Sequence, residues 1–260
     1  MRQYIIDAFT DKIFSGNPAA VCITENFPSD DLMVNIAKEN NLSETAFVQK
    51  TEHGYNLRWF TPAGEINFCG HATLASAFAV SEFIDKGINE ILFHTQSGDF
   101  PVKIKHKEIE MNLPAYSFSE IPVTDEMQEA IGVKPVQAFI KRDMMLVLEN
   151  EEQVRNLNPD SDKIKLLDGL CLCVTAQGKN YDCVSRVFAP KISINEDPVT
   201  GSSHCMIIPY WAEKLGKNNI NAYQASERGG EIYGCLQGDR VIISGKAVLF
   251  GTADIMVDMI

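Results

Sequence analysis

Several features that would assign a function at once are missing from this chain. No G-x-G-x-x-G and no G-x4-G-K-S/T run is present to hold a dinucleotide or a nucleotide phosphate. Cys69-Gly70-His71, Cys171-Leu172-Cys173 and His204-Cys205 lack the spacings of zinc sites, so no metal is expected. No uncharged run reaches the ~20 apolar residues of a membrane span. The longest, from Ile66 to Ser81, is interrupted by Asn67, His71, Thr73 and Ser76. The N-terminus, MRQYIIDAF, has no long apolar stretch and is not read as a secretory signal. Seven cysteines, an odd number without the regular spacing of a disulfide framework, read as reduced thiols of a cytoplasmic protein. Basic charge is short as well. With 23 Lys+Arg against 35 Asp+Glu the net charge is −12, which excludes a nucleic-acid or anionic-membrane face. An anionic substrate stays compatible only if local groups hold it.

What is present points to a duplicated globular protein. The 260 residues, 45% of them apolar, allow one large domain or two of about 130. Arg58-Trp59-Phe60-Thr61-Pro62 recurs 128 residues later as Arg186-Val187-Phe188-Ala189-Pro190. Beyond each copy a glycine opens an uncharged stretch, Gly70-His71-Ala72-Thr73 and then Gly201-Ser202-Ser203-His204. Gln96-Ser97-Gly98 and Gln224-Ala225-Ser226 follow in the same order, each before a hairpin-like pattern. Two similar domains are therefore expected, 1–114 and 115–260, with a return of the last strand to the first domain left open. Each half holds one helix without a charged face, from Gly70 to Ser81 and from Gly201 to Trp211. Such helices are buried, and Pro209 is expected to kink the second. Short β-type runs surround both. An amphipathic helix begins at Pro28-Ser29-Asp30, with Leu32, Met33, Ile36 and Ala37 facing inward. The halves should pack directly, with a cleft between them.

The two helix starts are the main chemical clue. A helix N-terminus offers unpaired N–H groups and about half a positive charge, and a glycine there lets a ligand approach the backbone. Both starts are expected to face the cleft and to bind a carboxylate there. The bland alternative is that Gly70 and Gly201 merely allow tight turns while Thr73 and Ser203 cap the helices. His71 reads either as an acid–base group or as a core histidine bonded to backbone. Asp197, four residues before Gly201, reads as a carboxylate at the helix start or as an ordinary Asp-Pro turn. Glu44, between Leu42 and an Ala-Phe-Val run, reads as a partly desolvated acid–base group or as a strand-end glutamate in solvent.

Taken in order, Gly16-Asn17-Pro18-Ala19-Ala20-Val21, Ser43-Glu44-Thr45-Ala46-Phe47, Arg58-Trp59-Phe60-Thr61-Pro62, Cys69-Gly70-His71-Ala72-Thr73, Glu196-Asp197-Pro198-Val199-Thr200-Gly201-Ser202 and Gln224-Ala225-Ser226-Glu227-Arg228-Gly229-Gly230 carry a further signal. Through them the chain resembles the PhzF (phenazine biosynthesis) family as far as about Gly245. The resemblance implies the diaminopimelate epimerase-like fold, an α/β (α+β) architecture of two pseudo-symmetric domains, each a β-barrel around a central apolar helix. It also implies a cofactor-independent isomerase. The family's characterised enzyme isomerises a dihydro-hydroxyanthranilate, a glutamate moving a proton from one carbon to another two away. By motif, Glu44, His71 and Asp197 are the implied catalytic residues, and Gly70, Gly201 and Ser202 the implied substrate-binding ones. No cofactor is implied. A small carboxylate is the expected substrate and a homodimer the expected assembly. Related epimerases use two cysteines. Cys69 is placed for the first, but the second pattern, Ala-Cys-Gly-Thr-Gly, is replaced by Asp197-Pro198-Val199-Thr200-Gly201. Three readings stand: a 1,3-proton-shift isomerase, an amino-acid epimerase or racemase using Glu44 opposite another group, and a non-catalytic ligand-binding protein of the same fold.

Overall fold

The structure, a computed structural model, describes residues 1–256. The chain divides into two compact units, Met1–Asn112 with the segment from Ser244 onward, and Leu113–Ile243. The first unit runs β1 (Arg2–Ala8), β2 (Asn17–Thr24), α1 (Asp30–Asn40), β3 (Glu44–Thr51), β4 (Gly54–Thr61), β5 (Gly64–Ile66), α2 (Gly70–Ala79), β6 (Glu90–Thr95), β7 (Gly98–Lys105) and β8 (Glu108–Pro114). The second runs β9 (Ser119–Ile121), α3 (Asp125–Ile131), β10 (Gln137–Ile140), β11 (Met144–Val147), α4 (Glu151–Arg155), α5 (Ser161–Leu166), β12 (Leu172–Gln177), β13 (Cys183–Ala189), β14 (Ile194–Asp197), α6 (Gly201–Leu215), β15 (Asn219–Gln224), β16 (Gly230–Gln237) and β17 (Arg240–Gly245). The last strand, β18 (Ala247–Asp254), pairs antiparallel with β1, from Arg2 opposite Asp254 to Ala8 opposite Ala247.

The internal repeat has a structural counterpart. In the first unit β1 and β2 are antiparallel, β2 and β3 parallel, β3 and β4 antiparallel, β4 and β6 parallel, and β6 and β7 antiparallel. In the second unit the pairs β10–β11, β11–β12, β12–β13, β13–β15 and β15–β16 repeat those directions in that order. The interior helices α2 and α6 fill corresponding crossovers. The repeated arginine explains itself too. Arg58 on β4 grips both oxygens of Glu65 on β5, at 2.7 and 2.7 Å, its guanidinium 5.1 Å from the Phe60 ring centre. Arg186 on β13 grips Glu196 on β14 at 2.7 and 2.7 Å, 5.0 Å from the Phe188 ring centre. A bidentate fork stacked on an aromatic face holds a short hairpin in register, and lysine could not replace it.

Helix α2 is buried on nearly every side, as its lack of charge requires. Only Phe78 among its ten residues is partly exposed. It contacts β1, β2, β3 and β18. Its hydroxyls fold back on the helix, Thr73 Oγ1 onto the Cys69 carbonyl at 2.6 Å and Ser76 Oγ onto Ala72 at 2.7 Å, so no polar atom is stranded. Helix α1 is the amphipathic one. Ser29 caps it, accepting from the Leu32 N–H at 3.4 Å, and Met33, Ile36 and Ala37 pack with Phe47 and Phe60. With helices on both faces, β3 is buried from Glu44 to Val48.

Helix α6 runs on through Pro209. Proline has no N–H to give the Cys205 carbonyl one turn back. The Tyr116 N–H supplies that bond instead, at 2.8 Å. The segment ahead of β9 is thereby tied to the middle of α6, and both lie in the second unit. On the opposite strand, Gly234 of β16 lets the helix come close. A methyl group there would sit 2.6 Å from the Ile208 side chain, which is fully buried and cannot retreat. Gly234→Ala should therefore destabilise the fold by about 1–3 kcal/mol. In an Ile208→Ala background, where that space is free, the same change should cost almost nothing. Urea denaturation of the four variants measures this, and an equal loss in both backgrounds would refute the close approach.

Candidate active site

Three parts of the first unit meet at one point. Strands β2 and β3 run parallel with Ala19 opposite Glu44, which brings Asn17 and Glu44 to neighbouring strand beginnings. The start of α2 adds Cys69 and His71. Glu44 Oε2 lies 3.1 Å from His71 Nε2. The other ring nitrogen, Nδ1, lies 3.2 Å from Asn17 Nδ2 and 3.5 Å from Cys69 Sγ. Glu44 and His71 are 9% and 5% exposed. Close as they are, the facing atoms are not aligned for a hydrogen bond, and neither has such a partner among the described residues. They meet as a close, buried carboxylate–imidazole pair whose hydrogen-bonding capacity is not fully used.

Burial alone would lower the proton affinity of His71. Its contacts with Cys69 and Glu44 outweigh it and hold His71 well above its ordinary 6.5. Burial, with the charge of Glu44 added, raises the Cys69 thiol from its ordinary 9.0, although a helix start by itself would lower it. The two shifts favour the neutral Cys69 thiol and a proton on His71. One carboxylate oxygen, one ring nitrogen and the sulfur of this trio lie within 4.8 Å of one another, a set able to hold a metal ion. His71 stands between the other two, however, with a different nitrogen toward each. One ion could take only one of those nitrogens and would break the other contact.

The second unit places Asp197, Gly201 and Ser202 together at the start of α6. Asp197 ends β14 and accepts a hydrogen bond at Oδ2 from the Thr200 hydroxyl. Gln224, at the end of β15, accepts from the Thr200 N–H at 2.8 Å and donates to the Asp197 carbonyl at 2.6 Å. The Ser226 hydroxyl donates to the Pro198 carbonyl at 2.7 Å. Gln224, whose counterpart in the repeat is Gln96, and Ser226 thus staple the turn that carries Asp197. Thr73 and Ser203 do not cap their helices. The N-cap positions are Cys69 and Thr200, and neither side chain caps its helix. Ser203 gives its hydroxyl to Asp143 at 2.9 Å. Glu44, His71 and Gly70 therefore form one group in the first unit, and Asp197, Gly201 and Ser202 another in the second.

Sequence patterns gave no role to Arg142, Asp143 or Asn17. The first two lie in a turn between β10 and β11, 60 residues from the serines they touch. Asn17 stands 54 residues from His71, and its Gly-Asn-Pro setting was the only signal available.

Two matched sheet-and-helix units, each with an uncapped interior helix starting beside a carboxylate, define the diaminopimelate epimerase-like fold. A probable proline racemase from Agrobacterium radiobacter shares it, with a TM-score of 0.64 at 10% identity over 99% of this chain and 93% of that one. A crystal structure of a PhzF-family phenazine biosynthesis protein from Enterococcus faecalis is far nearer, with a TM-score of 0.97 and 44% identity over 98% of this chain and 99% of that one. The chain belongs to the phenazine biosynthesis-like protein family, PhzC-PhzF, whose profile matches residues 6–253. An uncharacterized isomerase of Pseudomonas aeruginosa is 44% identical over 251 residues, 96% of each chain. No helix among the described residues is long and apolar enough to cross a membrane.

His204, fully buried one turn into α6, takes no part in the Glu44 group. Its Nδ1–H donates to the Thr200 carbonyl at 2.8 Å, and its Nε2 faces the Ser185 hydroxyl at 3.3 Å. Burial lowers it from 6.5 to about 4. The unfolded chain binds this proton more tightly, so stability is greatest above pH 6.5 and is lost as pH falls toward 4. That loss should amount to about 3 kcal/mol. Urea midpoints across this range should fall with pH in the wild type, and more gently in His204→Gln. Parallel curves would mean that His204 is not held neutral.

Proposed function

We propose that the chain is a cofactor-independent isomerase that moves a proton within a small amino or carboxylic acid. In this reading Glu44 takes the proton from one carbon and returns it to another, while His71 steadies the carboxylate. The carrying observation is the buried, mutually facing and unsatisfied pair Glu44–His71 beside the uncapped start of α2. A carboxylate held there can act as acid and base in turn, which a 1,3-shift with a single base requires. Each unit offers donors suited to a carboxylate: the Gly70 start of α2 in the first, and in the second the Gly201–Ser202 start of α6, where Asp197 is a further candidate acid–base group. The isomerase name of the Pseudomonas relative is in keeping with this class of reaction.

Racemisation by two thiols has less support. Cys69 is held as a thiol rather than a thiolate. The cap of α6 is Thr200, and Cys205, one turn further in, is buried with its sulfur on the Gly201 carbonyl at 3.8 Å.

The test is wash-in of solvent deuterium, followed by mass spectrometry over a panel of small amino and carboxylic acids. Glu44→Gln keeps the shape of the site and removes the base, so exchange should fall by roughly 10²-fold or more. Cys69→Ser should lose no more than about tenfold. Should Cys69→Ser abolish exchange while Glu44→Gln stays near normal, the reaction would belong to the thiol, and the role given to Glu44 would be wrong.

A further inference from the structure

The start of α6 is served by a cation that no sequence pattern marks. Arg142, in the turn between β10 and β11, gives its Nε hydrogen to Asp143 Oδ1 at 3.0 Å and one Nη2 hydrogen to Asp143 Oδ2 at 2.8 Å. Asp143 is 1% exposed and accepts two further bonds, from the Cys171 N–H at 3.3 Å and the Ser203 hydroxyl at 2.9 Å. With four donors on its two oxygens, this carboxylate is satisfied without water, and it fixes the plane of the guanidinium. Nη2 also donates to Ser202 Oγ at 3.0 Å. The Tyr116 ring lies under the fork, 5.8 Å from Cζ, and its own backbone is pinned to the Cys205 carbonyl.

Guanidinium nitrogens can only donate. The bond from Nη2 therefore occupies Ser202 Oγ as an acceptor. The hydroxyl hydrogen of Ser202 is left to donate, and it finds no acceptor among the described residues. Arg142 Nη1 takes part in none of these bonds, and about a third of the side chain is exposed. Beside the Asp197 carboxylate, the start of α6 thus gathers several donors: the Ser202 hydroxyl, the partly exposed Arg142 guanidinium and the first N–H groups of the helix. Such a cluster of donors suits a group rich in acceptors. A carboxylate fits it. A carboxamide brings its own N–H2 against donors and does not.

We infer that Arg142 is the residue that makes this site specific for a carboxylate, by fixing the Ser202 hydroxyl as a donor and adding a charged donor of its own. The inference deepens the proposed isomerase reading and rests on it for Ser202 as a substrate-binding residue. It also answers how a protein of net charge −12 holds an anion. The cation that meets the ligand is already matched by Asp143, and the ligand is recognised by the direction of hydrogen bonds.

The test uses two fluorescent probes of nearly equal shape, 2-aminobenzoate and its amide 2-aminobenzamide, titrated into the full chain. Wild-type protein should bind the acid at least about tenfold more tightly than the amide, as expected for charge-assisted hydrogen bonds. Arg142→Met should bring that ratio close to one, and so should Ser202→Ala. Because Arg142 acts largely through Ser202, the double variant should be within about twofold of either single one. Should Arg142→Met fail to fold with Asp143 left unpaired, Arg142→Lys decides. Lysine can neutralise Asp143 but has no fork to reach Ser202 as well, so the ratio should still fall at least about threefold with the melting temperature unchanged.

A wild-type protein that binds the acid no better than the amide, or binds neither, would overturn the inference. So would an Arg142→Lys protein that keeps the full ratio. Glu44→Gln separates the two proposals, because it should abolish deuterium exchange and leave the acid-to-amide ratio intact. If exchange survives Glu44→Gln while the ratio still depends on Arg142, the base is misassigned and the anion site stands.

Discussion

The first turn of an α-helix carries N–H groups that the helix itself cannot satisfy, and burying such a turn is costly unless a cap or a ligand meets it. Both interior helices here begin without a side-chain cap. The hydroxyls that could have served are committed elsewhere: Thr73 to the Cys69 carbonyl, Thr200 to Asp197 and Ser203 to Asp143. Each unit thus holds one such row of donors at the start of its interior helix. The sheets bury α2 on nearly every side and α6 along most of its length, with Glu213 and Lys214 near its end exposed. The Arg58–Glu65 and Arg186–Glu196 forks fix the short hairpins that lead into them.

How much of this was legible in the sequence depends on how far apart the cooperating residues lie. A charge-free run announces a buried helix because a surface helix cannot avoid a polar face, and α2 and α6 were readable on that ground. The repeated arginines were readable as a pattern, but their partners were not. Glu65 follows Arg58 by seven residues and Glu196 follows Arg186 by ten, so no common spacing reveals the pairing. Pro209 was readable as a break in the helix ladder. The Tyr116 N–H that makes the break tolerable comes from far away in the chain. The same distance hid Asn17 from His71 and Arg142 from Ser202. Local sequence carries capping, periodicity and turns, whereas a polar cluster assembled from three elements exists only once the chain has folded.

Cys69 shows why position on a helix does not by itself set reactivity. At the N-cap of α2 its sulfur faces the positive end of the helix, which favours a thiolate. The site is also almost free of water and shared with Glu44, and both effects favour the neutral thiol. Desolvation and a like charge close by outweigh half a dipole charge, so the thiol stays protonated. Two bases cannot both be charged in so small a dry space.

The same reasoning bears on how an acidic protein would keep the anion-binding site proposed at the start of α6. A cluster of free lysines would supply positive potential, but it would be weakened by salt and would hold any anion of suitable size. Backbone N–H groups, a serine hydroxyl and an arginine already paired with a buried carboxylate add almost no net charge. They do not titrate near neutral pH, and their directions are set by the fold. Recognition then turns on whether the ligand offers lone pairs where hydrogens point, which distinguishes an acid from its amide in a way that charge attraction does not. Asp143 is central to this arrangement even though it lies out of reach of solvent. By taking up four donors near the start of α6, it bears on which donors remain there.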